Sequence, residues 1–184
     1  MKRRVGIHIG GIYATKEPVV IETVLGSCVA VCLYDAEKRI GGMNHIFLPG
    51  EADLKHFDTP ARYGINAMEL LINRITALGG NRRRVTAKAF GGAHVLPAIS
   101  QSNGMGRKNV EFVCEFLRIE GIELIGHDLG GYSTRKVLFH TDTGDAFLKV
   151  LGNSSQQNAL RKELKHAERV KSKANEAGEI TLFS

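Results

Sequence analysis

The chain has 184 residues, 43% hydrophobic and 24% charged, with 21 glycines, four prolines and no tryptophan. That length suits one domain with its own core, and the apolar fraction excludes a wholly disordered chain. No stretch reaches the roughly 18 unbroken apolar residues of a membrane helix, so membrane insertion is not expected. The 25 Lys and Arg outnumber the 19 Asp and Glu, a formal charge of +6 that suits acidic partners without identifying one. Three cysteines (Cys28, Cys32 and Cys114) are too few and too scattered for a secreted disulfide framework. The start, Met1-Lys2-Arg3-Arg4 and then a mostly apolar run, resembles a weak signal peptide. His8 interrupts that run, and Lys16-Glu17-Pro18 stands where a cleavage site would be, so a cytoplasmic protein is expected.

In chain order, Val5–Tyr13 reads as a first strand, and Val19–Thr23 leads into the tight segment Leu25-Gly26-Ser27-Cys28. The runs Val29–Tyr34 and Ile40–Leu48 flank the short polar segment Asp35–Arg39, which predicts a hairpin. Both runs are nearly continuous in apolar residues, so both faces of the hairpin should be covered. Pro49-Gly50 ends it, and a polar loop follows to Asp58. Thr59 to Leu78 is the clearest helix, with Asp58 or Thr59 as cap, Pro60 in the first turn and Gly79-Gly80 as the stop. Val85–Phe90 reads as a strand, and Gly91-Gly92 opens a loop reaching Gly106. A second helix is expected over about Asn109 to Ile119, then strands at Ile122–Ile125, Lys136–His140 and Ala146–Val150. The last two flank Asp142-Thr143-Gly144-Asp145, a hairpin turn. From Asn153 the chain is polar, and Ala159–Ala174 reads as a Lys-, Arg- and Glu-rich helix exposed to solvent, followed by a mobile tail. The expected division is therefore a domain over residues 1–152 and a polar, basic helix and tail over 153–184.

Cys28 follows Gly26-Ser27, where glycine permits a sharp turn and exposed backbone N–H groups, the donors that an oxyanion needs. On a strand Cys32 lies about 13 Å from Cys28, too far for a disulfide. A free cysteine is commonly a small buried hydrophobe, so Cys28 alone does not define a site. His45 adds to it. A hairpin loop of even length places His45 opposite Cys28 or Ala30, on the face that Cys28 uses. A histidine beside a cysteine can take its proton and release the thiolate. Other candidates are weaker. His94, His127 and His140 lack metal-ligand spacing, so no metal is expected, and Gly91-Gly92 lacks the context of a nucleotide loop. Arg82-Arg83-Arg84 reads as a solvated turn, poor evidence for nucleic-acid binding without interleaved aromatics.

Leu25-Gly-Ser-Cys-Val-Ala-Val-Cys-Leu-Tyr-Asp35, then Gly42-Met-Asn-His45 with Leu48-Pro49, resembles the signature of the CheD family of chemoreceptor glutamine deamidases. Arg62-Tyr63-Gly64, Ala87–Ala93, Gly106-Arg107-Lys108-Asn109, Asp128–Gly131 and Arg135-Lys136 resemble further family segments, in order and with natural spacing. The resemblance implies a Cys-His-Thr triad, with Cys28 as nucleophile, His45 as base and Gly26 and Ser27 in the oxyanion loop. Members with a Thr-Leu-Gly-Leu-Gly-Ser-Cys sequence place the threonine six residues before the cysteine, where this chain has Glu22. Thr23, five residues before, is the counterpart in a loop one residue shorter, and Glu22 is its rival. The resemblance further implies an α+β fold, a single layered domain whose sandwich-like core of mixed and antiparallel strands is covered by two main helices. It implies glutamine deamidation in methyl-accepting chemotaxis receptors, glutamyl methyl ester hydrolysis as a secondary activity, and no cofactor. The expected protein is a monomer whose partners are those receptors and a CheC-type phosphatase, with no nucleic acid. A second reading makes it mainly a non-catalytic regulator docking on the same partners.

Overall fold

The run Val29–Asp35 is buried on both faces, and the chain builds a layer against each. The computed structural model describes residues 1–48, 52–56, 58–95, 104–152, 157–158, 161–166, 168–169 and 172. Pro49-Gly50, part of the loop before Asp58, most of the 96–106 loop and the chain's last residues lie outside them.

Nine strands form two sheets. They are β1 (Arg3–Gly6), β2 (Ile12–Thr15), β3 (Val19–Leu25), β4 (Val29–Asp35), β5 (Ile40–Asn44), β6 (Thr86–Gly91), β7 (Glu123–Leu129), β8 (Arg135–His140) and β9 (Ala146–Val150). One sheet has the order β1-β3-β8-β9 and the other β2-β5-β4-β6-β7. Pairing is antiparallel except for β1 with β3 and β6 with β7, giving the mixed, α+β architecture expected. Cys28, Ala30 and Cys32 face the other sheet, packing with Ile21, Leu25, Val137 and Phe139. Val29, Val31 and Leu33 face the helices α1 (Thr59–Ala77) and α2 (Met105–Ile119). The predicted hairpin is β4–β5, closed at Asp35 and Ile40, and the Asp142–Asp145 turn joins β8 to β9.

Helix α1 begins where Asp58 accepts from the Ala61 N–H at 2.8 Å, and it turns Met68, Leu71, Ile72 and Ile75 onto the sheet. Each such side chain contributes about 1.5–3 kcal/mol when fully buried. Among the described residues no helix is long and apolar enough to cross a membrane.

Four expectations need correction. The first strand is two strands in different sheets: the chain leaves β1, crosses at Ile7–Gly11, with Gly10 at φ 79°, and enters the second sheet as β2. Helix α2 starts at Met105 rather than Asn109, and Asn109 is fully buried inside it, its amide bonded to two loops. Strand β7 runs to Leu129, lengthened by its parallel pairing with β6. The arginine turn is not merely solvated: Arg82 bridges Glu69 and Glu120, and Arg84 reaches the buried Asp35 at 3.0 Å.

Gly64 tests the helix packing. Alanine there gains about 1 kcal/mol of helix propensity. Its Cβ, however, would meet the Phe112 ring and lie 2.8 Å from Leu48 Cδ2, so α1 and α2 must separate. Overpacking costs about 1–3 kcal/mol, and Gly64→Ala is therefore expected to lower the urea midpoint. An unchanged or higher midpoint would show that the two helices part freely.

Candidate active site

The turn Leu25–Cys28 is fixed by its carbonyls. Gly26 O accepts from the Ala93 N–H at 2.8 Å, Ser27 O from Asn109 Nδ2 at 2.8 Å, and Cys28 O from the Gly92 N–H at 2.7 Å. A Cβ on Gly91 would collide with Cys28 O, which is why a glycine at φ 109° stands there. Asn109 also accepts from the Leu48 N–H at 2.9 Å, so both ends of its amide are used. With the carbonyls turned outward, the N–H groups of Gly26, Ser27 and Cys28 converge on one point.

A carboxylate occupies that point. Glu163 Oε1 accepts from the Gly26 and Cys28 N–H groups, each at 3.2 Å. Its Oε2 accepts from the Ser27 N–H at 3.2 Å and from Ser27 Oγ at 2.6 Å. Glu163 is 5% exposed, on a helical turn (residues 161–166) whose Arg161, Lys162, Leu164 and Lys165 are exposed. The expectation of a solvated C-terminal helix fails at this residue: four donors draw one carboxylate into the interior.

His45 follows β5. In the register of the hairpin it stands opposite Ala30, one of the two positions that an even loop allows. Its backbone does not pair with Ala30; His45 N donates to Gly11 O at 3.0 Å, and His45 O accepts from the Gly10 N–H at 2.9 Å. The crossing Ile7–Gly11 therefore aims the ring. Thr23, on β3, lies across from it with Oγ1 2.8 Å from Nδ1. The Thr23 hydroxyl donates its single proton to Ile7 O at 2.8 Å, so toward His45 it only accepts. Nδ1 then carries the ring proton and Nε2 is left as a lone pair, buried and without a partner among the described residues. Glu22, the rival, points to the other face of β3 and pairs with Lys136 at 3.0 Å and Arg4 at 3.3 Å. A groove of about 1080 Å³ opens beside Thr23 and His45, with His8, Lys136, Glu163 and His166 also on its walls.

The electrostatics describe a closed site. Burial pushes the Cys28 thiol well above its usual range, and the Glu163 charge and hydrogen bond raise it further. Burial, with His166 and His8 nearby, holds His45 down at about 3, so its ring is neutral. Cys32 lies on the same face of β4, and burial also raises its thiol far above the usual range. Cys114 is half-buried on α2, outside this cluster. Sequence reasoning missed Glu163 and the structural role of Asn109. For Asn109 a signal existed, the family-like segment Gly106–Asn109; a polar helix gives none for Glu163.

Comparison with known proteins converges on one family. Residues 47–150 match the family model described as CheD chemotactic sensory transduction. A "Probable chemoreceptor glutamine deamidase CheD" of Vibrio cholerae is 44% identical over 154 residues, 79% of this chain and 65% of that protein. The chain thus spans just under two thirds of the length of that relative. Proteins of the same name from Vibrio vulnificus and Thiobacillus denitrificans are 37% and 42% identical, over 97% and 95% of this chain and 88% and 86% of theirs.

The buried neutral imidazole makes stability depend on pH. The unfolded chain binds a proton at His45 near 6.5, whereas the folded chain resists it down to about 3. Unfolding is thus favoured as pH falls below 6.5, by on the order of 1 kcal/mol per unit for this one group. The urea midpoint should fall between pH 6.5 and 4, and fall less steeply in His45→Gln. Equal slopes would mean that the ring is not held neutral.

Proposed function

The chain belongs to the CheD family, and from that premise and the geometry around Cys28 we propose that it hydrolyses glutamine side-chain amides in chemoreceptors to glutamate. The observation that carries the reading is the set of three converging N–H groups at Cys28, which already holds a glutamate carboxylate. An oxyanion held there sits beside the thiol, as acyl transfer requires.

In this reaction His45 Nε2 takes the Cys28 proton, and Sγ attacks the carboxamide carbon. The oxyanion is held by the N–H groups of Gly26, Ser27 and Cys28. The imidazolium gives its proton to the leaving nitrogen; ammonia departs and a thioester remains. Water, deprotonated by His45, attacks the thioester; the tetrahedral adduct expels the thiolate, which takes the proton back from His45, and glutamate is released. Thr23 acts on His45 rather than on substrate. By accepting from Nδ1–H, it keeps the lone pair on Nε2 and steadies the imidazolium that forms. A glutamyl methyl ester would react by the same steps, with methanol leaving in place of ammonia. The names of the relatives supply the substrate class, and the +6 charge suits an acidic partner.

A receptor cytoplasmic fragment incubated with the chain should gain about 1 Da at each converted glutamine, read by peptide mass spectrometry. Cys28→Ala should abolish the gain, while Cys32→Ala and Cys114→Ala retain it. Full turnover in Cys28→Ala would overturn the mechanism.

The other two members are tested by rate. His45→Ala should cost about 10²–10⁴ in turnover, as for a lost general base. Thr23→Ala should cost less, because the base remains but its ring is less well held, and Thr23→Ser should recover much of the loss. Glu22→Ala should be nearly silent. A damaging Glu22→Ala beside a silent Thr23→Ala would reassign the third residue.

A further inference from the structure

Glu163 stands 135 residues from Cys28 in the chain, yet its carboxylate fills the N–H cluster beside the thiol. Nothing in the turn Leu25–Cys28 needs an acid there for its own shape, since the carbonyls of Gly26, Ser27 and Cys28 are already bonded to Ala93, Asn109 and Gly92. Three residues on, the His166 ring meets Phe47 edge-to-face, with centroids 6.0 Å apart. The helical turn is thus seated by two side chains, one polar and one aromatic, while Arg161, Lys162, Leu164 and Lys165 stay exposed. A glutamate side chain bound at this point is also the chemical product of glutamine deamidation.

We propose that Glu163 is an internal product mimic: the 161–166 turn holds its carboxylate where a product glutamate leaves, and closes the site until a substrate segment displaces it. The inference rests on the deamidase reading above. It defines the substrate as a glutamine offered on one helical turn, because such a turn already delivers a side chain of that length to the N–H groups. Tethering makes the occupant a strong competitor without strong intrinsic affinity, since it is present at high effective concentration. It also keeps the nucleophile idle, because the Glu163 carboxylate sits on the Cys28 N–H and its negative charge opposes thiolate formation.

The decisive variant is Glu163→Gln, which is isosteric and still fills the site. Its amide is then placed as a substrate, attacked by Cys28, so that ammonia leaves and water restores glutamate. Purified alone, the full-length variant should gain about 1 Da at position 163, at a first-order rate independent of protein concentration. The Glu163→Gln/Cys28→Ala double variant should keep its amide. In parallel, Glu163→Ala should raise the rate of Cys28 alkylation by iodoacetamide at least about tenfold, because the thiol is uncovered. Each preparation is also assayed on a receptor fragment. Conversion of the receptor with an unchanged amide at 163 would overturn the inference and leave the deamidase reading standing. Conversion of neither would overturn both. Alkylation unchanged in Glu163→Ala would show that the segment does not guard the cysteine.

Discussion

A planar trans peptide points its C=O and N–H in opposite directions, so fixing a carbonyl fixes the next residue's N–H. The site depends on this constraint. Ala93 holds the Gly26 carbonyl, which turns the Ser27 N–H inward; Asn109 holds the Ser27 carbonyl, which turns the Cys28 N–H inward. The bond from Gly92 to Cys28 O sends the Val29 N–H to Ile46 O at 3.0 Å, and there the ladder of β4 begins. Helix α2 and the Gly91–Ala93 corner thus work as the mould for two of the three donors, the N–H groups of Ser27 and Cys28. Arg135 braces that corner, giving hydrogen bonds to Gly91 O at 3.3 Å, Asp128 O at 2.7 Å and Gly130 O at 2.7 Å. A donor cluster whose directions are set by other bonds need not reorganise when charge arrives, and preorganisation of this kind lowers barriers.

The two sheets divide the remaining chemistry. Thr23 comes from one sheet, His45 and Cys28 from the ends of strands in the other, and the Ile7–Gly11 crossing closes the gap between them. Ile7 supplies the carbonyl that takes the Thr23 proton, and Gly10 and Gly11 hold the His45 backbone. The break in the first strand therefore sets the geometry of the Thr23–His45 pair. An unbroken strand would leave the threonine hydroxyl free to donate to His45 and put the ring in the tautomer with no lone pair on Nε2.

What the sequence made legible was local. The parity of the hairpin loop placed Cys28 and His45 on one face, and strand alternation separated Thr23 from Glu22; both arguments need only period two and a polar loop. The structure carries them through at Asp35–Ile40 and along β3. The misses all lie where distant chain overrides local preference. Val5–Tyr13 has the composition of one strand, but its halves pair with partners in different sheets. The second helix reads from the sequence as beginning at about Asn109, but two loops claim the Asn109 amide and α2 begins at Met105. The stretch around Glu163 is polar throughout, and no periodicity marks one carboxylate among its neighbours as buried. Only the pre-formed donors near Cys28, far away in sequence, select it.

Those donors also set how firmly Glu163 binds. Moving a carboxylate out of water carries an effective penalty of several kcal/mol. Hydrogen bonds to a charged group return about 1.5–3 kcal/mol each, and Glu163 accepts four from the Gly26–Cys28 turn. These four bonds hold the contact at rest, and it yields only to a segment that brings comparable bonds of its own. An uncharged glutamine amide draws less from the same N–H groups than a carboxylate does. The tetrahedral oxyanion of the proposed reaction, carrying full charge on one oxygen, draws more than the amide. The cluster therefore favours the reacting state over the bound substrate, which is the condition for acceleration rather than mere binding. In the proposed reaction, the same preference for charge would make a glutamate carboxylate, tethered or newly formed, the occupant that substrate must displace.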